Sequence, residues 1–338
     1  MSKLYDTLTK TIMESSISEE EKQSLLKAIL RNKEQKVNVL ITGATGCGKS
    51  STINALFNAE KAKVGTSPNP ETMSIEYYEL DNLILWDSPG LGDGLEQDKV
   101  HSEGIKALLE KKDEDGNLLI DLVLVILDGR SRDMGTSYEL ITKVIVPVLG
   151  DTKRLIVGIN QVDAAMGNRH WNFETHQPDK ILLDYIKEKE KSVHDRILDG
   201  TGISVQPVSY VAGYKEEGLP QEPAYNLSKL LYYIMENVPA EKRLNVVEQL
   251  NERKEMWESD DKQENYHAEI QRSASEGVVS SLKNASLGAA AGAALGAAIG
   301  SVIPGVGTAI GTAVGTVAGA VFSVAADIIS GIRSILPW

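Results

Sequence analysis

Residues Gly43–Ser50 read GATGCGKS, a complete G-x-x-x-x-G-K-S phosphate loop, and no other stretch restricts the fold as tightly. Such a loop works only where a strand runs into a helix. The flanks comply: Val37-Asn38-Val39-Leu40-Ile41-Thr42 is strand-like, and Ser51-Thr52-Ile53-Asn54-Ala55-Leu56-Phe57 continues as a helix. Glycine is needed because the backbone must curl its N–H groups toward the phosphates, where Cβ atoms would obstruct the approach. The new helix adds its positive end to the cradle. Gly43, Ala44, Thr45, Gly46, Cys47, Gly48, Lys49, Ser50 and Ser51 are therefore the expected phosphate contacts. Lys49 reaches the outer phosphates as a point charge, and the Ser50 hydroxyl is placed to ligate Mg²⁺.

The 338 residues have room for roughly two domains, and a hydrophobic content of 42% suffices for a packed core. A formal net charge of −13 argues against a general nucleic-acid surface and against docking on anionic lipid through a basic patch. Cys47 is the sole cysteine, so no intramolecular disulfide forms; a reducing compartment is expected, with the thiol still oxidisable. The opening MSKLYDTLTK has no apolar stretch, so neither a secretory signal nor an N-terminal anchor is expected, and the chain reads as cytoplasmic. The five histidines lack ligand-like spacing, and no zinc site is expected.

Composition divides the chain into four stretches. Residues 1–36 read as helical, with Ser18-x-x-Glu21 as a capping box before Leu25, Leu26, Ala28, Ile29 and Leu30. From 37 to 240, strand-like and helical runs alternate, the pattern of an α/β sheet with helices on both faces. Strands are expected at 37–42, 74–79, 82–87, 120–128, 154–160 and 203–208, and the nearly continuous apolar run at 120–127 suits a central strand. Residues 241–282 are charged and helix-prone, a connector. Residues 283–338 are set apart by a region, 284–326, without Asp, Glu, Lys, Arg or His. There Gly288, Gly292, Gly296 and Gly300 recur every fourth residue, as do Gly311, Gly315 and Gly319 after the turn signal Pro304-Gly305.

Two further motifs bear on the nucleotide. Asp87-Ser88-Pro89-Gly90 follows the strand ending at Trp86, which places the Asp87 carboxylate beside the phosphate loop to hold Mg²⁺ through a water. The Gly90 N–H would sense a γ-phosphate. Asn160-Gln161-Val162-Asp163 follows another strand. A carboxylate at Asp163 accepts both N1–H and the 2-amino group of guanine, donors that adenine lacks, so this residue selects GTP over ATP. Asn160 is expected to tie this loop back to the phosphate loop. Trp86 adjoins Asp87, so its fluorescence is expected to distinguish GTP from GDP.

With GATGCGKS, DSPG, NQVD and the candidate final base-contacting loop Pro207-Val208-Ser209-Tyr210, the chain resembles a TRAFAC-class GTPase of the Era-like and septin-related kind, over about 200 residues. Immunity-related GTPases and bacterial YfjP-like proteins share its G-x-T-G-x-G-K-S-S form. The resemblance implies a three-layer α/β P-loop GTPase domain with a mostly parallel central sheet, flanked by N-terminal helices and a C-terminal α-helical hairpin. It also implies GTP and GDP as ligands, Mg²⁺ as cofactor, Ser209 and Tyr210 at the base, and a switch threonine at Thr72 that joins Ser50 and Asp87 on the metal. Thr66 is the alternative. The family dimerises across the nucleotide face, so a homodimer is implied here.

Three departures qualify the match. Gln161 stands where the family has lysine, so affinity is expected to fall while guanine choice remains at Asp163. Leu91 follows DSPG where Ras-like proteins place a water-orienting glutamine, so unaided hydrolysis is expected to be slow. Gly46 replaces the asparagine of potassium-activated relatives, so no potassium stimulation is expected. Arg130 or Arg132, after the central strand, could neutralise transition-state charge in cis or across a dimer; a surface salt bridge is the competing reading.

Each half of 284–326 is long enough as a helix to span a bilayer core of roughly 30 Å. Interior glycines cost about 1 kcal/mol each relative to alanine in water, which makes sense if their stripe lets another helix approach closely. Two readings stand: a membrane-associating or pore-like hairpin reaching through 284–338, and a helical hairpin packed within a soluble fold. In the first, Ile332, Leu336 and Trp338 form an interfacial anchor; in the second they join the packing. The functions that follow are a slow GTP switch coupled to a membrane hairpin, a ribosome-associated or assembly GTPase, and an effector with a GTPase-triggered tail.

Overall fold

The computed structural model describes residues 3–15, 17–57, 63–66, 75–90, 94–132, 134–215, 218–282, 327 and 330–338. Thr72, Leu91, Asp133 and the Gly-repeat segment 284–326 lie outside them, as do the expectations that rest on those residues. Among the described residues, no helix is long and apolar enough to cross a membrane.

Two compact units emerge. The first contains α1 (Lys3–Glu14), α2 (Glu19–Lys33), residues 239–250, most of the last long helix and the C-terminal helical turn. Leu4, Leu8 and Ile12 recur every fourth residue on α1 and are buried, as are Leu25 and Ile29 of α2. The capping box forms: the Ser18 hydroxyl accepts from Glu21 N–H, and the Glu21 carboxylate accepts from Ser18 N–H. Ile332 and Leu336 are buried, which supports packing rather than an exposed anchor at this end.

The second unit is a three-layer α/β fold comprising 37–238, 251–266 and the last two residues. In chain order its elements begin β1 (Val37–Gly43), α3 (Lys49–Leu56), β2 (Lys63–Thr66), β3 (Glu76–Leu80), β4 (Leu83–Asp87), α4 (Leu95–Glu110) and β5 (Leu122–Asp128). They continue with α5 (Gly135–Glu139), which widens into a π-helical turn at Leu140–Ile145, then β6 (Leu155–Asn160), β7 (Trp171–Asn172), β8 (Gln177–Pro178), α6 (Lys180–Thr201), β9 (Val208–Ser209) and α7 (Leu227–Asn237). The chain goes on through α8 (Arg243–Val247) and α9 (Tyr266–Leu282). Seven strands form one sheet in the order β2-β3-β4-β1-β5-β6-β9, with β3 antiparallel to both of its neighbours, β2 and β4, and every other pair parallel.

Strand β5 shows why the sheet is central. Its residues are apolar on both faces, and the pleat sends Val123, Val125 and Leu127 to a core shared with Ile105 and Leu108 of α4, Ile141 and Ile145 of the π turn, and Leu182, Ile186 and Val193 of α6. On the other face α3 packs against β1 and β4, and α7 against α3 and β6.

The expected strand at 203–208 shrinks to Val208–Ser209, because Pro207 has no N–H to offer a ladder. Edge strand β2 and the hairpin β7–β8 were not expected; runs of two to four residues carry too little periodicity to be read. The 241–282 stretch is divided between the units, with 251–266 belonging to the α/β one.

Candidate nucleotide-binding site

Strand β1 feeds straight into the loop. A Cβ on Gly43 would lie 2.2 Å from the Ile126 carbonyl oxygen of β5, so this turn passes too close for any side chain. Gly46 and Gly48 have φ of +78° and +89°, and a Cβ on Gly48 would meet Asn160 Nδ2 at 2.3 Å. Helix α3 then starts at Lys49, with its amino end at the loop. The Lys49 ammonium folds over the loop and donates to the Gly43 and Ala44 carbonyls, each at 3.3 Å. Thr45, Gly46 and Ser50 are exposed, while Cys47 is wholly buried. Burial pushes its thiol up to about 11 despite the opposing charge of Lys49, so the oxidisable thiol expected from sequence is shielded.

The outer-phosphate end is built by β4. Asp87 pairs with Ile41 of β1, Ser88 N–H donates to Ile41 O at 3.1 Å, and the Ser88 hydroxyl donates to Thr42 Oγ1 at 2.7 Å. These bonds fix the Asp87 carboxylate, whose Oδ1 is buried with no hydrogen-bond partner. Burial raises its pKa to about 6; Lys49 opposes that shift and Glu76 adds to it. A buried, unpartnered carboxylate oxygen next to a lysine fits a divalent cation, with the Ser50 hydroxyl as the second protein ligand. No group of three His, Cys, Asp or Glu converges among the described residues, so the remaining ligands would be phosphate and water oxygens. Gly90 presses on the loop: a Cβ there would stand 2.3 Å from Thr45 Oγ1. Thr66, the alternative switch residue, pairs through its backbone with Glu76, which pairs with Asp87. Trp86 is buried, donates from its indole N–H to Asn38 Oδ1 at 3.0 Å, and packs on Tyr77 at 5.3 Å between ring centroids.

The base end follows β6. Asn160 is buried and uses both ends of its amide: Nδ2 donates to Cys47 O at 3.0 Å, and Oδ1 accepts from Ala212 N–H at 3.0 Å. Gln161 takes φ +63° and donates from Nε2 to Gly46 O at 3.2 Å, bracing the loop where the family has lysine. Asp163 lies in a short helical turn; its Oδ1 is buried and unpartnered, and burial raises its pKa against the pull of its own and Ala164 N–H groups. Ser209 and Tyr210 are fully buried. The Tyr210 hydroxyl meets Thr52 Oγ1 at 2.8 Å under α3, so this side chain supports the helix instead of facing a base. The loop goes on to Ala212 and Gly213, where sequence reasoning had no motif to follow.

Gln221 was also missed. It is buried, and Nε2 donates to Ser51 O, Ala212 O and Gly213 O at 3.0, 2.7 and 3.2 Å, joining α3 to the base loop. After β5, Arg130 clasps Asp128 with Nε–Oδ1 at 3.0 Å and Nη2–Oδ2 at 2.8 Å, the salt bridge that competed with a catalytic role. Arg132 is exposed. Lys189 of α6 donates to the carbonyls of Gly129 and Ser131, and Gly129 N–H donates to Asn160 O at 2.6 Å, so this cation steadies the same strand end.

Residues 38–161 match the family described as 50S ribosome-binding GTPase. The chain is 30% identical over 192 residues to the tRNA modification GTPase MnmE of Geobacter sulfurreducens, covering 52% of this chain and 37% of that protein. It is 35% identical over 77 residues to the probable GTP-binding protein EngB of Malacoplasma penetrans, covering 23% and 41%. The chain thus spans about a third of the length of the MnmE relatives it matches. Among solved structures, the LeoA bacterial dynamin GTPase from ETEC aligns at 17% identity and a TM-score of 0.38, covering 72% of this chain and 41% of that one. Through its loop, sheet order and family match, the chain carries a P-loop GTPase domain of the TRAFAC type.

Proposed function

We propose that this protein binds GTP and GDP with Mg²⁺ at the carboxyl edge of β1, β4 and β6, and works as a slow nucleotide switch. One observation carries the reading: two buried carboxylate oxygens without partners, on Asp87 and Asp163, flank a single phosphate loop. Burying such groups is costly unless a ligand compensates. A cation at the first and a guanine at the second are the partners that the flanking motifs suit. Ser50 and Asp87 would hold the metal, with Thr72 as the expected switch ligand. Lys49 and Gly90 would contact the γ-phosphate, and Leu91 leaves no side chain to orient water, hence slow turnover. Arg132 is free to act across a dimer of the nucleotide faces, a role that would make hydrolysis depend on protein concentration.

The test is titration of the full chain with fluorescent GDP, GTP and ATP, with and without Mg²⁺. Binding of ATP as tight as GTP, or guanine binding indifferent to Mg²⁺, would overturn the assignment.

The switch is proposed to act on the charge-free segment 284–326 as a membrane-associating hairpin; the uninterrupted lack of charge and the four-residue glycine spacing support this. A second reading, a soluble assembly-type GTPase, is favoured by the match to a family described as ribosome-binding. Flotation of the full chain and of a 1–282 truncation on liposomes, with GDP or a non-hydrolysable GTP analogue, separates them. If neither form floats, the membrane role is excluded.

A further inference from the structure

Residues 251–261 follow the first unit's 239–250 in the chain, yet they belong to the α/β unit. They lie outside the family match, which ends at 161. Their hydrogen bonds converge on the supports of the nucleotide site. The last carbonyls of a helix have no partner within it, and two of those of α3 find theirs here: Asn251 N–H donates to Leu56 O at 2.9 Å and Asn251 Nδ2 to Asn54 O at 2.9 Å. Arg253 Nη1 donates to Gln221 O at 2.7 Å, and the Gln221 side chain grips Ser51, Ala212 and Gly213. A Cβ on Gly213 would lie 2.1 Å from Glu222 O, so the base loop folds tightly onto the residue next to Gln221.

The other end of the segment reaches the same loop from its opposite side. Asp261 N–H donates to Asn226 Oδ1 at 2.8 Å, Asn226 N–H donates to Ser259 O at 2.9 Å, and Asn226 Nδ2 donates to Ser209 O at 2.9 Å. Between the two ends Trp257 is fully buried, its indole N–H bound to Asn251 O at 2.8 Å. Residues 209–213 are therefore held at one end through Asn226 and Glu190 and at the other through Gln221 and Asn160, and the strap bonds both Asn226 and Gln221.

We propose that the strap 251–261 is a positioning element for the nucleotide: through Asn251, Arg253 and Asn226 it fixes the end of α3 and the loop 209–213, and so sets how long guanine nucleotide stays bound. The inference rests on the GTP-binding reading above. Because the strap is contributed by chain beyond α7, the segments that follow it gain a direct covalent handle on nucleotide affinity.

The test uses the full chain loaded with fluorescent GDP, and reads the rate of release on chase with excess unlabelled GDP. Arg253→Ala, which loses the bond to Gln221 O, and Asn251→Ala, which loses both the bond to Asn54 O and the acceptor for Arg253 N–H at 3.0 Å, are each expected to speed release by about tenfold. Arg253→Lys, which keeps a cationic donor, should fall between wild type and Arg253→Ala. Ser18→Ala removes the N-cap of α2, whose side chain bonds neither strap nor loop; it should destabilise the fold while leaving release within about twofold of wild type. Wild-type release rates in both strap variants, or acceleration by Ser18→Ala as large as theirs, would overturn the proposal. Should one strap variant fail to fold, the other still decides. Failure of the wild-type chain to bind any guanine nucleotide would instead remove the GTP reading itself, and this inference with it.

Discussion

The Asn160 side chain donates to the Cys47 carbonyl at 3.0 Å, joining two loops that lie 113 positions apart in sequence. Its carbonyl end accepts from Ala212 N–H, so one buried amide holds the phosphate loop, the base-recognition loop and the 209–213 loop together. The base end and the phosphate end of the site therefore cannot shift independently.

Asn160→Ala should be severely destabilising. It leaves a buried carbonyl at Cys47 and a buried N–H at Ala212 unpaired, which together cost roughly 2–4 kcal/mol. Urea denaturation of the nucleotide-free chain should show the loss as a lower midpoint at unchanged slope. A midpoint equal to wild type would mean that water replaces the amide and that the tie is not structural.

Asp163→Asn should exchange guanine for xanthine. An amide at this position keeps one acceptor for N1–H, offers a donor to the 2-oxo group of xanthine, and sets that donor against the 2-amino group of guanine; the lost pairing is worth about 2–4 kcal/mol, or roughly 30–1,000-fold in GTP affinity. The wild type should also bind GTP more weakly as pH falls, since only the carboxylate accepts both donors and burial raises the pKa of this group. Competition of fluorescent GDP by GTP and XTP across pH checks both; a variant that still prefers GTP would remove Asp163 from the base site.

Cys47 should resist alkylation in the folded protein. Raising the thiol from 9.0 to about 11 lowers the thiolate fraction at neutral pH by roughly 100-fold, and burial blocks access as well. Mass spectrometry after iodoacetamide treatment should show slow labelling in buffer and fast labelling in urea. Equal rates would show that the loop opens readily.

Much of this site was legible because its key residues come in short contiguous motifs. GATGCGKS, DSPG and NQVD each follow a strand, and a parallel sheet brings strand ends to one edge, so Lys49, Asp87 and Asp163 could be assigned before any coordinates. The strand β1 and the central β5 announced themselves by apolar runs. What escaped notice has no local signature. Gln221 and Asn226 act through carbonyls contributed by distant loops, and Lys189 is one of several lysines on α6, distinguished only by reaching Gly129 and Ser131. Tyr210 was misplaced because a motif fixes the path of the backbone more firmly than the direction of a side chain; here the phenol turns inward to Thr52. The strap 251–261 was read as a solvated connector, since its charge pattern looks exposed, although Asp260 and Trp257 are buried.

Asp87→Asn should separate stability from function. Burial raises the folded-state pKa of Asp87 from 3.8 to about 6, so the folded chain holds this proton more tightly than the unfolded one. Between those values the native state binds more protons, and stability falls as pH rises through the window; above pH 6 the full cost of an unpaired buried carboxylate is present. The neutral amide removes that cost. The nucleotide-free variant should therefore be more stable than wild type at pH 7 by roughly 1–3 kcal/mol, with the difference vanishing toward pH 4. Its response to Mg²⁺ should move the other way: wild type should gain thermal stability from GDP and Mg²⁺ together beyond that from GDP alone, and the variant should not, because an amide is a poor ligand for a hard cation. Melting curves at pH 4, 5.5 and 7, each with GDP and with or without Mg²⁺, test both halves. A variant less stable than wild type at pH 7 would show that the carboxylate is compensated within the protein, and a preserved Mg²⁺ increment would move the metal to other ligands.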